Sequence, residues 1–342
     1  MKQEWSEKMI LKERKIPLLI RKTEALLRRL PSHHPKITLI NEEMNKRLAG
    51  YKGETSLDFQ LDFLDSKEYF ILHDLRLPDN DRFFQIDTLI LTKKFALILE
   101  VKNITGILHF DTVYNQLIRF KNGKEQVFPC PLIQVNRQAS QLRRWFKANV
   151  SNEELPAYSF VVISNPHTGI KVIPHHIDLS RKVIHRNTLP IKIEQIESSI
   201  KKEISEKLLK KIIRLLKKQS TEQESSILSR FQINQSEILT GVFCPACSFL
   251  PLERVSRTWC CPKCKITSKA AHMKALHDYS LLLGPAITNK ELRNFLHVSS
   301  SHAATRILKS LNLPQTGAQK NRTYTLMFPD ESTNQKGIKR GI

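Results

Sequence analysis

Apolar positions along the chain change their spacing several times, and each change marks an element. Between residues 38 and 65 they recur at helical spacing. Glu54, Leu57, Leu61 and Leu64 form one stripe of that pattern, and Gly53 reads as its helix start, so the stripe aims Glu54 inward. Three β-favouring runs follow, YFILHDLRL, FQIDTLILT and FALILEVKN, separated by turn chemistry such as PDND. GILHF, NQLIRF and KEQVF continue as a meander, with Asn122-Gly123 as a hairpin turn. Residues 131–148 return to helical spacing behind Pro131, and residues 157–166, AYSFVVISNP, give one more strand. The order helix, three strands, helix, strand predicts a mixed α/β domain.

The flanks are different. Residues 1–37 read as a basic helical extension that ends where Pro31 and Pro35 break the pattern. Residues 192–218 read as a very basic helical stretch, and 220–226, STEQESS, as a polar linker. The expected organisation is 1–37 extension, 38–190 α/β domain, 191–235 basic segment and linker, 236–270 cysteine-rich module, 271–329 helical module and 330–342 disordered tail.

Charge narrows the partners. Fifty-five Lys and Arg against 33 Asp and Glu give a net charge of +22 over 342 residues. Such an excess favours polyanions, with nucleic acid first and an anionic membrane surface second. The amphipathic stretch Lys201–Lys218 fits a membrane surface, but packing its apolar face on a core and leaving its lysines in water is the commoner use. No apolar run approaches the roughly 20 residues of a bilayer span, and the N-terminus lacks an apolar h-region. The expectation is a cytoplasmic protein without stable membrane insertion. Nothing in the sequence specifies an oligomeric state.

Three charges interrupt the greasiest part of the chain, QIDTLILTKKFALILEVKN. A reversal between Lys93 and Lys94 puts Asp87 directly opposite Glu100, with Lys102 on the same face two residues on. Two carboxylates so placed repel, and burial sharpens the conflict. A divalent cation such as Mg²⁺ resolves it. The plainer alternative is a salt bridge at a strand end.

KGE (52–54), HDLRLP (73–78), QIDTLIL (85–91), ILEVKN (98–103) and PLIQVNRQ (131–138) occur in the order and spacing of the nuclease-related domain (NERD) family, which resembles a branch of the PD-(D/E)xK nuclease superfamily. The resemblance covers roughly residues 38–166. It implies an α/β fold with a PD-(D/E)xK-like central mixed sheet flanked by helices. It also implies that Asp87 and Glu100 are ligands for Mg²⁺ (or Mn²⁺), that Lys102 is the catalytic lysine, and that Glu54 and Gln134 complete the site. Thr88 departs from the family, many members of which have histidine there. The expected function is metal-dependent hydrolysis of phosphodiester bonds in nucleic acid, with DNA favoured. The alternative is a non-catalytic nucleic-acid-binding or regulatory protein on a nuclease-derived scaffold, but such a scaffold usually loses an acid or the lysine, and here all are present.

Five of six cysteines lie between Cys244 and Cys264. CPAC and CPKC put Cys244, Cys247, Cys261 and Cys264 at the spacing of a Cys₄ zinc ribbon, with one structural Zn²⁺; Cys260 is the rival of Cys261. Beyond it, Thr288 and Glu291 form a capping box, and a second helix starts near Ser300 or Ser301. Helix, turn, helix and the following QTGAQKNRTYTL resemble a winged helix-turn-helix. On that reading Ser301, Arg306 and Lys309 face the groove of DNA, while Lys320 and Arg322 contact phosphates. A helical hairpin used for packing is the alternative.

Overall fold

A computed structural model describes residues 9–150, 155–174, 178–222, 225–318 and 321–328. In chain order the first elements are β1 (Ile10–Lys12), α1 (Leu18–Arg29), α2 (Ile37–Thr55) and α3 (Asp58–Leu61). Strands β2 (Phe70–Asp79), β3 (Arg82–Leu91), β4 (Ala96–Lys102), β5 (Ile107–Asp111), β6 (Gln116–Lys121) and β7 (Lys124–Pro129) follow. Helix α4 (Pro131–Asn149), strands β8 (Ala157–Ile163), β9 (Gly169–Ile173) and β10 (Val183–His185), and helices α5 (Leu189–Ser199), α6 (Glu206–Gln219) and α7 (Ile227–Phe231) lead to the cysteine-rich region. There β11 (Glu253–Val255), β12 (Thr258–Cys260) and β13 (Thr267–Ser268) precede α8 (His272–Leu282), β14 (Ala286–Thr288), α9 (Asn289–Leu296), α10 (Ser301–Ser310), β15 (Gln315–Thr316) and β16 (Thr323–Thr325). Two compact units result, Met1–Lys15 with Leu48–Gln223, and Ile16–Arg47 with Glu224–Ile342.

The first unit is built on a mixed six-stranded sheet, order β1-β2-β3-β4-β8-β10. β2, β3 and β4 are antiparallel, while β1–β2, β4–β8 and β8–β10 are parallel. Alternate residues of β3 and β4 serve opposite faces. Leu89, Leu91 and Ile98 pack with Val135 and Leu142 of α4 and Leu209, Ile212 and Leu216 of α6. Ile90, Leu97 and Leu99 pack with Leu57, Leu61 and Ile193 of α5. Each such side chain, fully buried, contributes about 1.5–3 kcal/mol, and a one-residue slip would exchange the two faces. A second sheet, order β7-β6-β5-β9, carries the meander, whose Asn122-Gly123 turn has both residues left-handed (φ 51° and 71°).

The structure corrects two expectations here. Residues 9–15 are not helical: Ile10–Lys12 form β1, which pairs with β2, and the first helix starts only at Leu18. Residues 192–218 are not one helix but two, α5 and α6, because they cover different faces of the sheet and the chain must cross its edge between them. Ile204 N donates to Lys93 O at that crossing (2.8 Å), and Ser205 caps α6. The apolar stripe of α6 is thus spent on the core, and its lysines are exposed. Among the described residues no helix is long and apolar enough to cross a membrane.

In the second unit the cysteine-rich sheet β11-β12-β13 and α8 to α10 surround Trp259, Leu276, Leu292, Phe295 and Ile307, and α1 packs on α8. β14, β16 and β15 form an antiparallel sheet in that order. Arg29 and Asp278, both fully buried, pair at 2.9 Å. Lys320 and the segment from 330, expected as a wing residue and a tail, lie outside the described residues.

Candidate active site

The turn joining β3 to β4 sets the geometry. Thr92 Oγ1 accepts from the backbone N–H groups of Lys94 and Phe95, both at 3.0 Å, closing a tight reversal. The ladder then runs Leu91↔Ala96, Ile90↔Leu97, Leu89↔Ile98 and Thr88↔Leu99. The next step of this register sets Asp87 opposite Glu100, as the sequence predicts, and Val101 N donates to Asp87 Oδ2 (3.3 Å). Glu100 is 2% exposed, while Asp87 keeps a partial opening to solvent.

Lys102 Nζ donates to Glu100 Oε1 (2.7 Å) and to Gln134 Oε1 (3.2 Å), so Gln134 reaches the group from the first turns of α4. One helical turn later Gln138, buried, donates through Nε2 to Glu100 Oε2 (2.8 Å) and to Gln85 O (3.0 Å). Gln138 escaped the sequence reading, although its i+4 spacing from Gln134 in PLIQVNRQ puts both on one helix face.

Glu54 arrives by a different route from the one expected. α2 ends at Thr55, so Glu54 sits in its last turn rather than its first, and Leu57 and Leu61 belong to a separate short turn, α3. Gly53 is no helix start. A Cβ there would lie 2.5 Å from Asn103 Cβ and 3.1 Å from Ser164 Oγ, so glycine lets the end of α2 touch the end of β4. Asn103 Nδ2 donates to Ala49 O (2.8 Å), fastening the contact. An acid at a helix C-terminus meets carbonyl dipoles of its own sign. Burial and then the charge of Asp74 push the Glu54 carboxyl up to about 7, against the pull of Arg14, 2.9 Å away. Asp87 is held well above the usual carboxylate range by burial first, then by Glu100 and Glu54, with Lys102 and the Val101 N–H opposing.

Asp74 and Arg14 are the other members that sequence reading missed. β2–β3 pairing passes from His73↔Thr88 to Leu75↔Ile86, and Asp74 between them is left-handed (φ 52°), a strained conformation for a non-glycine in mid-strand. Its carboxyl is raised by burial. HDLRLP marks the place, but no local pattern tells that a residue some 60 positions earlier turns back to it.

A family model for the nuclease-related domain matches residues 49–164. That segment is similar to the nuclease-related domain. The match takes in Glu54, Asp74, Asp87, Glu100, Lys102, Gln134 and Gln138, and leaves Arg14 outside. No curated protein and no solved structure matches the chain. The matched segment supplies Asp87, Glu100 and Lys102 on adjacent strands, backed by two glutamines from one helix.

In the second unit the Sγ atoms of Cys244, Cys247, Cys261 and Cys264 all lie within 4.8 Å of one another, and this group could hold a metal ion. The Cys244–Cys264 and Cys247–Cys261 separations are both 3.6 Å. Four thiolates at a Zn–S distance of about 2.3 Å around one tetrahedral ion require similar spacing. Knuckle N–H groups point at the sulfurs, Cys247 N to Cys244 Sγ (3.5 Å) and Cys264 N to Cys261 Sγ (3.4 Å). The first of these, with the Ala246 N–H, lowers the Cys244 thiol to about 6. Cys260, the last residue of β12, pairs with Glu253 of β11 and stands outside the group.

α9 opens with the Thr288–Glu291 capping box, and Ser300 caps α10 by accepting from Ala303 N (3.3 Å). Ala304, Ile307 and Leu308 face the core, whereas Ser301, Arg306 and Lys309 are exposed. The Ser301 hydroxyl already donates to Asn289 Oδ1 (3.3 Å). Arg322 is half-buried just before β16.

Proposed function

We propose that the nuclease-related segment is a metal-dependent nuclease that hydrolyses phosphodiester bonds, with DNA as its substrate. One arrangement supports this above all: two carboxylates from adjacent strands, Asp87 and Glu100, converge on one face with a single ammonium, Lys102, to balance them. Their donor set is hard oxygen, and the excess negative charge fits Mg²⁺ (or Mn²⁺). Asp87 and Glu100 would hold such an ion, which would supply Lewis acidity toward a phosphate oxygen and a water of lowered pKa.

The chain's own groups do the rest. Gln138 and Lys102 fix the two oxygens of Glu100. Lys102 has three protons; two are directed at Glu100 and Gln134, and the third is available to the scissile phosphate or the attacking water. Gln134 turns the ammonium toward that position. Glu54, whose carboxyl titrates near neutrality, takes up or releases a proton at the edge of the site.

The second unit, in the same proposal, delivers the nuclease to DNA. Cys244, Cys247, Cys261 and Cys264 hold one structural Zn²⁺, and four thiolates leave that ion no open position for catalysis. The segment from α9 to β16 serves as a winged helix-turn-helix, with Ser301, Arg306 and Lys309 at the groove and Arg322 and Lys320 on phosphates. The exposure of Arg306 and Lys309 on the outer face of α10 supports it.

Labelled duplex and single-stranded DNA, incubated with Mg²⁺ or Mn²⁺, test the nuclease. The wild type should cleave and Asp87→Ala should not. Equal cleavage by both proteins, or none by either across metals and substrates, would refute it.

A further inference from the structure

The segment ahead of α1 lies outside the match to the nuclease-related domain, yet two of its side chains enter the candidate site. Ile10 and Lys12 pair with Ile71 and Leu72, and Met9 O accepts from Ile71 N (2.8 Å). From this edge strand Lys12 Nζ donates to His73 O (2.8 Å) and Asp74 O (2.7 Å), the carbonyls on either side of the left-handed kink. Arg14 follows two residues on, just past the end of β1.

The Arg14 side chain is 4% exposed, and its guanidinium is held at three points. One terminal nitrogen donates to Glu54 Oε2 (2.9 Å). The other donates to Thr88 Oγ1 (3.1 Å) and lies 2.9 Å from His73 Nδ1. Arginine has no acceptor, so His73 Nδ1 must carry a lone pair rather than a proton. Thr88 accepts from Arg14 and has its own proton for the same nitrogen, 3.1 Å away. Burial, with the charges of Arg14 and Lys12, pushes His73 down to about 3 and keeps the ring neutral. Two adjacent strands therefore fix the plane of the guanidinium, and that plane fixes one oxygen of Glu54. Among the described residues no hydrogen bond reaches Oε1, the other oxygen. The next acid, Asp58, is 3.7 Å from Arg14 and half exposed.

We infer that Arg14 is a positioning residue of the active site: it pins Glu54 through Oε2, presents Oε1 to the reacting centre, and influences catalysis only through Glu54. A bare structural ion pair would stabilise the fold without this dependence. The inference builds on the nuclease reading but has a test that outlives it.

The test is a double-mutant cycle with Arg14→Gln, Glu54→Gln and the pair together, each checked for folding by circular dichroism. Loss of an outer partner of a site ligand costs about 10–100-fold. Arg14→Gln should therefore lower kcat by that much with KM little changed, and Arg14→Lys should recover part of it. The double variant should be no slower than Glu54→Gln alone. Losses that multiply, or a wild-type kcat in Arg14→Gln, would overturn the inference. Where the wild type cleaves nothing, the same cycle is read on the Mn²⁺ dissociation constant. A change caused by Arg14→Gln that disappears on the Glu54→Gln background then upholds Arg14 while the nuclease assignment falls; no change, or an additive one, overturns Arg14 as well. If Arg14→Gln does not fold, Arg14→Lys takes its place under the same criterion.

Discussion

Each compact unit buries an arginine against an acid, and the surroundings of the two pairs differ in charge balance. Asp278 receives Arg29 Nε at 2.9 Å and an Arg28 terminal nitrogen at 2.8 Å, one on each oxygen. Arg29 also donates to Gly241 O (2.8 Å), and its guanidinium lies over the rings of Phe243 (4.7 Å) and Phe295 (5.0 Å). Both charges are answered within the fold. Around Arg14 the acids outnumber the cations among the described residues: Glu54, Asp58, Asp74, Asp87 and Glu100 cluster with Arg14, Lys12, Lys15 and Lys102. A buried arginine–aspartate pair whose charges face each other holds elements together. A buried cluster short of positive charge could hold a cation, and the carboxyls of Glu54, Asp58, Asp74 and Asp87 are all raised, by burial first.

Removing one partner should have opposite consequences at the two places. Asp278→Ala strands two guanidinium groups and should cost the second unit about 3–5 kcal/mol, read as a lower melting temperature by calorimetry. Asp87→Asn, in chelator, should leave the first unit as stable as wild type or more so, because it relieves repulsion. An Asp278→Ala protein that melts like wild type would erase the contrast.

Within the first unit, Glu100→Gln should reduce metal-dependent cleavage by at least about 10²-fold with little change in unfolding. Gln138→Ala removes only the bond that orients Glu100, so a loss of about 10–100-fold is expected. Gln138→Ala at wild-type rate would show that Lys102 suffices to hold Glu100.

The raised acids also give a sign to pH dependence. Asp87 and Glu54 keep protons in the folded chain that the unfolded chain has lost above about pH 4. Their contribution to stability is therefore fully present below that value and is lost as pH rises toward about 7. In chelator the melting temperature should fall between about pH 5 and about pH 8; Mg²⁺ should remove the fall at the upper end, and Asp87→Asn should make it shallower. A flat profile in chelator would mean that the acids are not in conflict. The smallest effect belongs to the cysteines: Cys260→Ser should keep wild-type zinc content, whereas Cys261→Ser should lose it, measured by metal analysis.

The parts legible in the sequence were those encoded within a short span. Register follows from a two-lysine turn flanked by apolar alternation, so Asp87 and Glu100 could be paired on paper. Ligand spacing in CPAC and CPKC, and the Thr288–Glu291 box, are likewise local. Gln138 was within reach, one helical turn from Gln134. The end of α2 was hidden because Glu54, Thr55 and Ser56 carry no breaker, and the glycine beside them serves a close approach rather than a cap. Arg14, Lys12 and Asp74 meet across some 60 residues of chain, and only the parallel pairing of β1 with β2 brings them together. That pairing depends on three residues that look like part of a basic helical leader.

An outermost strand of three residues is usually the most dispensable part of a sheet. Here its removal would do two things at once. It would bare the edge of β2, inviting a neighbouring chain to pair there, and it would leave Glu54 without its counter-ion. A polypeptide begun at residue 49, where the family match starts, would inherit every acid of the centre and still lack the piece that aims one of them. In this protein the stretch that resembles a known domain and the stretch from which the site is assembled do not share a boundary.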